Sequence, residues 1–378
     1  ADLSDDLLHR LRGTLLLAHN SKFDYTFLRH EFSRCRLSYA APTLCTVQLS
    51  RRLYPQFFKH NLDSIIERHQ IAVSSRHRAM NDVLALADYL ELTAASHGIL
   101  PFVEQGSALT LPKLPPVGLH PELAGQLNTL SDGDGALLWL DSDGLPLYAD
   151  AHAKTFREAV ELLHRNPALQ QAASLRFLPA VGPLHALMLK AKLSAEHGFR
   201  PSENDVCPTN YFTVRFHPNE KGKLQAQIRP LSDGLYPDRP NGLFLHKKAA
   251  KRALDAWVRE QQFCPVELNI LPPGYDRNAP CPVAAVGRCQ GQCGNIGEAA
   301  RQRQRIETAA RLLPVADWGK AHQIEICETD TLNGRRLSFH CAGGALQMPD
   351  GSWYFDRKLP AVFKEKFRAH RNDIAVSF

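Results

Sequence analysis

Apolar positions in the first hundred residues switch repeatedly between two spacings. Residues 14–20 (TLLLAHN) form a short apolar run of strand length, and Phe23, Phe27, Leu28 and Phe32 then recur at helical spacing over 23–35. Residues 42–47 predict a second strand, and 62–70 and 79–95 predict amphipathic helices. This alternation implies an α/β layer over residues 1–100. Five prolines with few charges fall between Pro101 and Pro121, which predicts an extended linker over 101–125. Apolar runs at 135–140 and 145–148 flank Asp143-Gly144, a hairpin signal, and helical patterns follow at 156–164 and 183–197. Residues 126–205 therefore read as a small α/β module. The remainder, 206–378, reads as mixed α+β. It holds a helix over 247–262 with an apolar stripe of Ala250, Ala253, Leu254, Trp257 and Val258, then a cluster of cysteines, then turn-rich strands ending in a basic helix.

Composition narrows the class. With 378 residues, 44% hydrophobic and 22% charged, the chain can bury a sizeable core and excludes a disordered protein; its length suggests two or three domains. No stretch approaches the roughly 18 apolar residues that span a bilayer, and the start lacks a signal-peptide pattern, so a soluble, cytoplasmic protein is expected. Nine cysteines, an odd number, favour reduced thiols or a metal site over a secreted disulfide scaffold. The net charge of +6 permits a polyanionic partner, and Lys248, Lys251, Arg252 and Arg259 lie off the stripe of their helix, where they either meet phosphates or form a solvated face.

Candidate chemistry begins at Asp24, which closely follows the strand TLLLAHN, because sites in α/β sheets form at strand ends. His77 precedes the helix over 79–95 and Asp82 sits in its first turns. Phosphodiester hydrolysis with two metal ions needs carboxylates converging on a pair of cations about 4 Å apart and a base for the attacking water. A histidine titrating near neutrality suits the latter. The reading that competes with this one is that both acids merely cap helices.

The strings LLLAHNSKFDYTFLRHEF, CTVQLSRRLYP (read as a strand), HNLDSIIERHQI and HRAMNDVLALADYL, in that order, resemble the second and third motifs of DEDDh 3′-to-5′ exonucleases of the DNA polymerase III epsilon type. The resemblance implies a partial ribonuclease H-like module acting on single-stranded 3′ ends of DNA with magnesium or manganese. Asp24 and Asp82 would be metal ligands and His77 the general base, while Asn20 shapes the turn and Phe23 seats the substrate end. The family's Asp-x-Glu strand is not matched, because Asp2, Asp5 and Asp6 lie in a polar helical start. With Ala rather than Met at position 1, a fragment of a longer parent is expected, with little nuclease activity by itself.

Residues 135–204 resemble the GIY-YIG nuclease domain of UvrC and its Cho-like relatives, with most of the chemistry replaced. Leu137 stands at the first tyrosine position, Tyr148 keeps the second, Glu158 falls where an arginine is expected, and Lys190 replaces the metal-binding glutamate; Asn204 is retained. A lysine cannot ligate magnesium. The resemblance thus implies a fold kept for DNA binding or packing.

Cys264, Cys281, Cys289 and Cys293 allow three readings: a zinc site, an iron-sulfur cluster, or buried reduced thiols. Similarity of GRCQGQC, and of the arginine-rich helix over 301–313, to the region after the GIY-YIG domain in UvrC-type proteins implies a cluster, 4Fe–4S ahead of zinc. Cys35, Cys45, Cys207, Cys327 and Cys341 show no grouping and read as core or surface thiols. The expected function is 3′-to-5′ exonuclease action on DNA in replication or repair. The alternatives are a non-catalytic DNA-binding repair scaffold and a structure-specific endonuclease.

Overall fold

The computed structural model describes residues 2–73, 78–198, 211–220, 222–271, 282–287, 299–316, 318, 323–330, 332–369 and 374–377. The chain divides into two compact units, residues 1–180 with 330–334, and residues 181–329 with 335–378.

The first unit opens with helix α1 (Asp2–Leu11), strand β1 (Leu16–Ala18), helix α2 (Ser21–Arg34), strand β2 (Thr43–Cys45) and helix α3 (Thr46–Leu53). β1 and β2 are parallel, with Leu16 opposite Thr43 and Ala18 opposite Cys45. Leu8, Phe32, Tyr39 and Ala41 bury together beneath them. The segment CTVQLSRRLYP, expected as a strand, instead turns helical at Thr46. The buried side chains of α3 are Thr46, Leu49 and Ser50, a helical spacing. Helices α4 (Leu62–His69) and α5 (Ala79–His97) pack around Tyr54, Ile65, Ile71, Ala85 and Tyr89.

The first part of the stretch expected as an extended linker, residues 101–109, lies instead in helix α6 (Ile99–Leu109), while residues 110–120 lie outside any helix. Pro101 falls in the first turn of α6, where the missing amide forfeits no intrahelical bond, and no further proline occurs before Pro112. Leu111 then pairs with Thr43 beside β2. Helix α7 (Pro121–Thr129) leads into strands β3 (Gly135–Leu140) and β4 (Pro146–His152), helix α8 (Thr155–Arg165) and strand β5 (Ser174–Pro179). The sheet is antiparallel, in the order β4-β3-β5, over a core of Leu123, Leu127, Leu137, Trp139, Phe156, Val160 and Leu163.

The second unit begins with helix α9 (Pro183–Glu196). Strands β6 (Tyr211–Pro218), β7 (Leu224–Leu231), β8 (Gly234–Tyr236) and β9 (Asn241–Phe244) follow, then helices α10 (Lys247–Glu260), α11 (Pro282–Ala285) and α12 (Ala299–Ala309). α10 buries Ala250, Leu254, Trp257 and Val258, and the Trp257 indole donates to the Ala309 carbonyl at 2.8 Å. Strands β10 (Gln323–Thr329), β11 (Arg336–Ala342), β12 (Ala345–Gln347) and β13 (Trp353–Phe355), helix α13 (Leu359–Ala369) and strand β14 (Ile374–Ser377) complete it. The chain therefore passes beyond the expected terminal helix into a strand that pairs antiparallel with β10. Among the described residues the two sheets are β7-β6-β9 and the antiparallel β14-β10-β11-β12-β13-β8.

Glu328, on β10, is buried. Its carboxylate accepts from the Leu184 and His185 backbone amides at 3.1 Å each, at the start of α9, and meets the Lys366 ammonium at 3.1 Å. Gly182 is required there, since a Cβ would lie 2.5 Å from the Glu328 carboxyl carbon. No helix among the described residues is long and apolar enough to cross a membrane.

Candidate functional site

The carboxyl ends of β1 and β2 each feed a helix. After Ala18 the chain reverses at Asn20, whose left-handed backbone (φ 73°) is tolerated by asparagine better than by most residues, and α2 begins at Ser21. Asp24 stands in the first turn of α2, where a carboxylate complements the positive end of the helix dipole. It is half-buried and makes no hydrogen bond or ion pair among the described residues. Phe23 beside it is 68% exposed.

The two helix starts are tied together. The Thr46 hydroxyl donates to the Ala18 carbonyl at 3.3 Å and lies 3.1 Å from His19 Nδ1. Cys45, the residue before α3 and read from sequence as a core or surface thiol, sits among backbone amides at the starts of both helices. Burial pushes its thiol pKa up, and amides of Gln48, Ser21, Asn20 and Val47 outweigh that, leaving it below the ordinary thiol value. Only the pairing of β1 with β2 creates this setting, so no local sequence signal marks it.

Asp82 lies in the first turn of α5, half-buried, with its amide donating to the Arg78 carbonyl at 3.0 Å. His77 lies outside the described residues. No group of three or more His, Cys, Asp or Glu side chains placed to hold a metal ion occurs among the described residues.

The positions aligned with GIY-YIG chemistry have structural engagements. Leu137 is fully buried on β3, and Tyr148 is half-buried on β4 opposite Trp139. The Glu158 carboxylate lies 3.1 Å from His152 Nδ1 and accepts from the Lys154 amide at 3.2 Å, at the start of α8. In the second unit, Lys190 makes an ion pair of 2.8 Å with Asp356, which is 0% exposed and also accepts from the Tyr354 hydroxyl at 2.9 Å. Asn204 lies outside the described residues, as do Cys281, Cys289 and Cys293. Cys264 is half-buried just beyond α10.

An exonuclease family model (RNase_T) matches residues 4–90, and a UvrC/Cho excinuclease middle-domain model matches residues 211–312. The DNA polymerase III epsilon subunit of Haemophilus influenzae is 35% identical over 99 residues, 24% of this chain and 38% of that protein. The epsilon subunit of Rickettsia conorii is 30% identical over 115 residues, 28% of this chain and 50% of its own length. The 3′-5′ exonuclease DinG of Staphylococcus saprophyticus is 25% identical over 101 residues, 26% of this chain and 11% of its length. The chain thus spans half the length of these relatives or less. No solved structure matches it. The exonuclease match spans Asn20, Phe23, Asp24, His77 and Asp82 and carries with it dependence on a divalent metal ion, while the excinuclease match spans all four clustered cysteines. The chain accordingly carries a segment similar to the exonuclease family in its first unit and a segment similar to the UvrC/Cho excinuclease middle domain in its second.

Proposed function

We propose that residues 4–90 belong to a 3′-to-5′ DNA exonuclease using magnesium or manganese, with Asp24 and Asp82 as metal ligands and His77 as the general base. The supporting observation is that the exonuclease match spans all three residues, with both acids in the first turns of helices. Carboxylate oxygens are hard donors that suit these cations, and Asp24 has no protein partner among the described residues to compete for it. Held by such carboxylates, divalent ions would supply activation of the attacking water and charge stabilisation at the leaving oxygen. The chain's own contribution is to orient and to move a proton: His77 takes it from the attacking water, and the exposed Phe23 ring offers a face to the terminal base.

A form of the protein that also carries an Asp-x-Glu strand should, with magnesium, shorten a 5′-labelled single-stranded oligonucleotide stepwise from its 3′ end. Asp82→Ala should abolish this, and His77→Ala should slow it by about 10²- to 10⁴-fold. Unchanged degradation by the Asp82 variant would assign the activity to another site. For Cys264, Cys281, Cys289 and Cys293 the reading is an iron-sulfur cluster, with zinc as the alternative. It is supported by the excinuclease match across all four and is tested by metal analysis of anaerobically purified protein.

A further inference from the structure

A cavity of about 570 Å³ opens in the second unit between the β7-β6-β9 sheet, the end of α12 and the β10–β13 strands. Its polar lining includes Arg239, Arg311, Asn241, Gln323 and Gln347, and Trp353 contributes an indole. Arg239 is half-buried, and its guanidinium pKa is lowered first by burial and then by the neighbouring charge of Arg311. Two like charges facing one half-buried space cost free energy unless an anion joins them.

Asp238 and Glu307 also border the cavity and do not fill that role. Among the described residues no carboxylate lies within ion-pair distance of either guanidinium. Among the described residues both arginines therefore keep donors for a ligand, and paired planar guanidinium groups match phosphate oxygens. The volume exceeds what one phosphate needs, and a half-buried indole with amide groups beside it suits an unstacked base. β9, which supplies Asn241, runs on into α10, whose exposed Lys247, Lys248, Lys251 and Arg252 make no ion pair among the described residues.

We infer that this cavity binds single-stranded DNA, with a phosphodiester between Arg239 and Arg311 and a base against Trp353. The inference takes its ligand class from the reading of the chain as acting on DNA, and it concerns a site remote in sequence from Asp24 and Asp82.

The test is fluorescence anisotropy of a labelled oligothymidine with the full chain in EDTA, which prevents cleavage. Arg311→Met, at an exposed position that leaves the fold intact, and Arg239→Met should each weaken binding about tenfold. Each should also reduce the slope of log affinity against log salt by about 0.7. Trp353→Leu should weaken it by about five- to a hundredfold. Absence of oligonucleotide binding, or affinity independent of both arginines, overturns the inference. Competition by inorganic phosphate at these arginines, with oligonucleotide affinity unaffected by their loss, overturns it too and assigns the cavity to a small anion. Arginine-dependent binding, with no cleavage by a form that also carries an Asp-x-Glu strand, would leave the cavity standing and remove the exonuclease reading; cleavage by that form without that dependence would do the reverse.

Discussion

Asp356 shows how one residue's chemistry is set by its enclosure. Burial alone pushes its carboxyl pKa up, but the Lys190 ammonium, the Tyr354 hydroxyl and the Lys358 amide together outweigh burial and hold it below the ordinary carboxylate range. A folded-state pKa below the unfolded value near 3.9 gives stability that is present above that pH and lost as pH falls through the folded value. Lys190→Met reverses the balance, since the carboxylate keeps its burial and loses its counter-charge. Urea melts at pH 7 should show that variant destabilised by about 3–5 kcal/mol, with the gap narrowing towards pH 4 as Asp356 takes up a proton. Equal midpoints for the two proteins at pH 7 would mean that the pair contributes nothing.

At the scale of elements, helices were legible wherever their partners lay within one helical stripe. The spacing of Ala250, Leu254, Trp257 and Val258 marked α10, and all four are buried. Trp257 also meets Phe216 and Phe263, with ring centroids 5.6 Å and 4.9 Å away. Trp257→Ala should therefore destabilise by about 3–5 kcal/mol, measured as a lowered denaturant midpoint with the slope retained. The misread elements failed for physical reasons. α3 carries β-branched Thr46 and Val47 beside a true strand, and the prolines that suggested a linker cluster beyond α6 or in its first turn. What holds Leu111 against Thr43 is reciprocal backbone pairing, with the Thr43 hydroxyl also donating to the Leu111 carbonyl, across 68 positions that no local pattern connects.

For the whole molecule, the two family matches fall in different units, so nuclease chemistry and oligonucleotide affinity should respond to different treatments. In a form that also carries an Asp-x-Glu strand, EDTA should stop shortening of the oligonucleotide and leave its binding intact. Joint loss of both on chelation, read by gel and by anisotropy, would tie them to one site. Asp24 and Asp82 could be proposed from sequence because each follows a recognisable string. Arg239 and Arg311 could not, since 72 positions separate them and each alone looks like an ordinary surface cation.

Glu328 sets an order of events during synthesis. The carboxylate that receives the first amides of α9 lies 144 positions after Leu184, so the helix emerges from the ribosome long before its cap exists. Until β10 has been made, the Leu184 and His185 amides have only water to meet, and a nascent chain stalled short of that strand exposes the start of α9 to proteases.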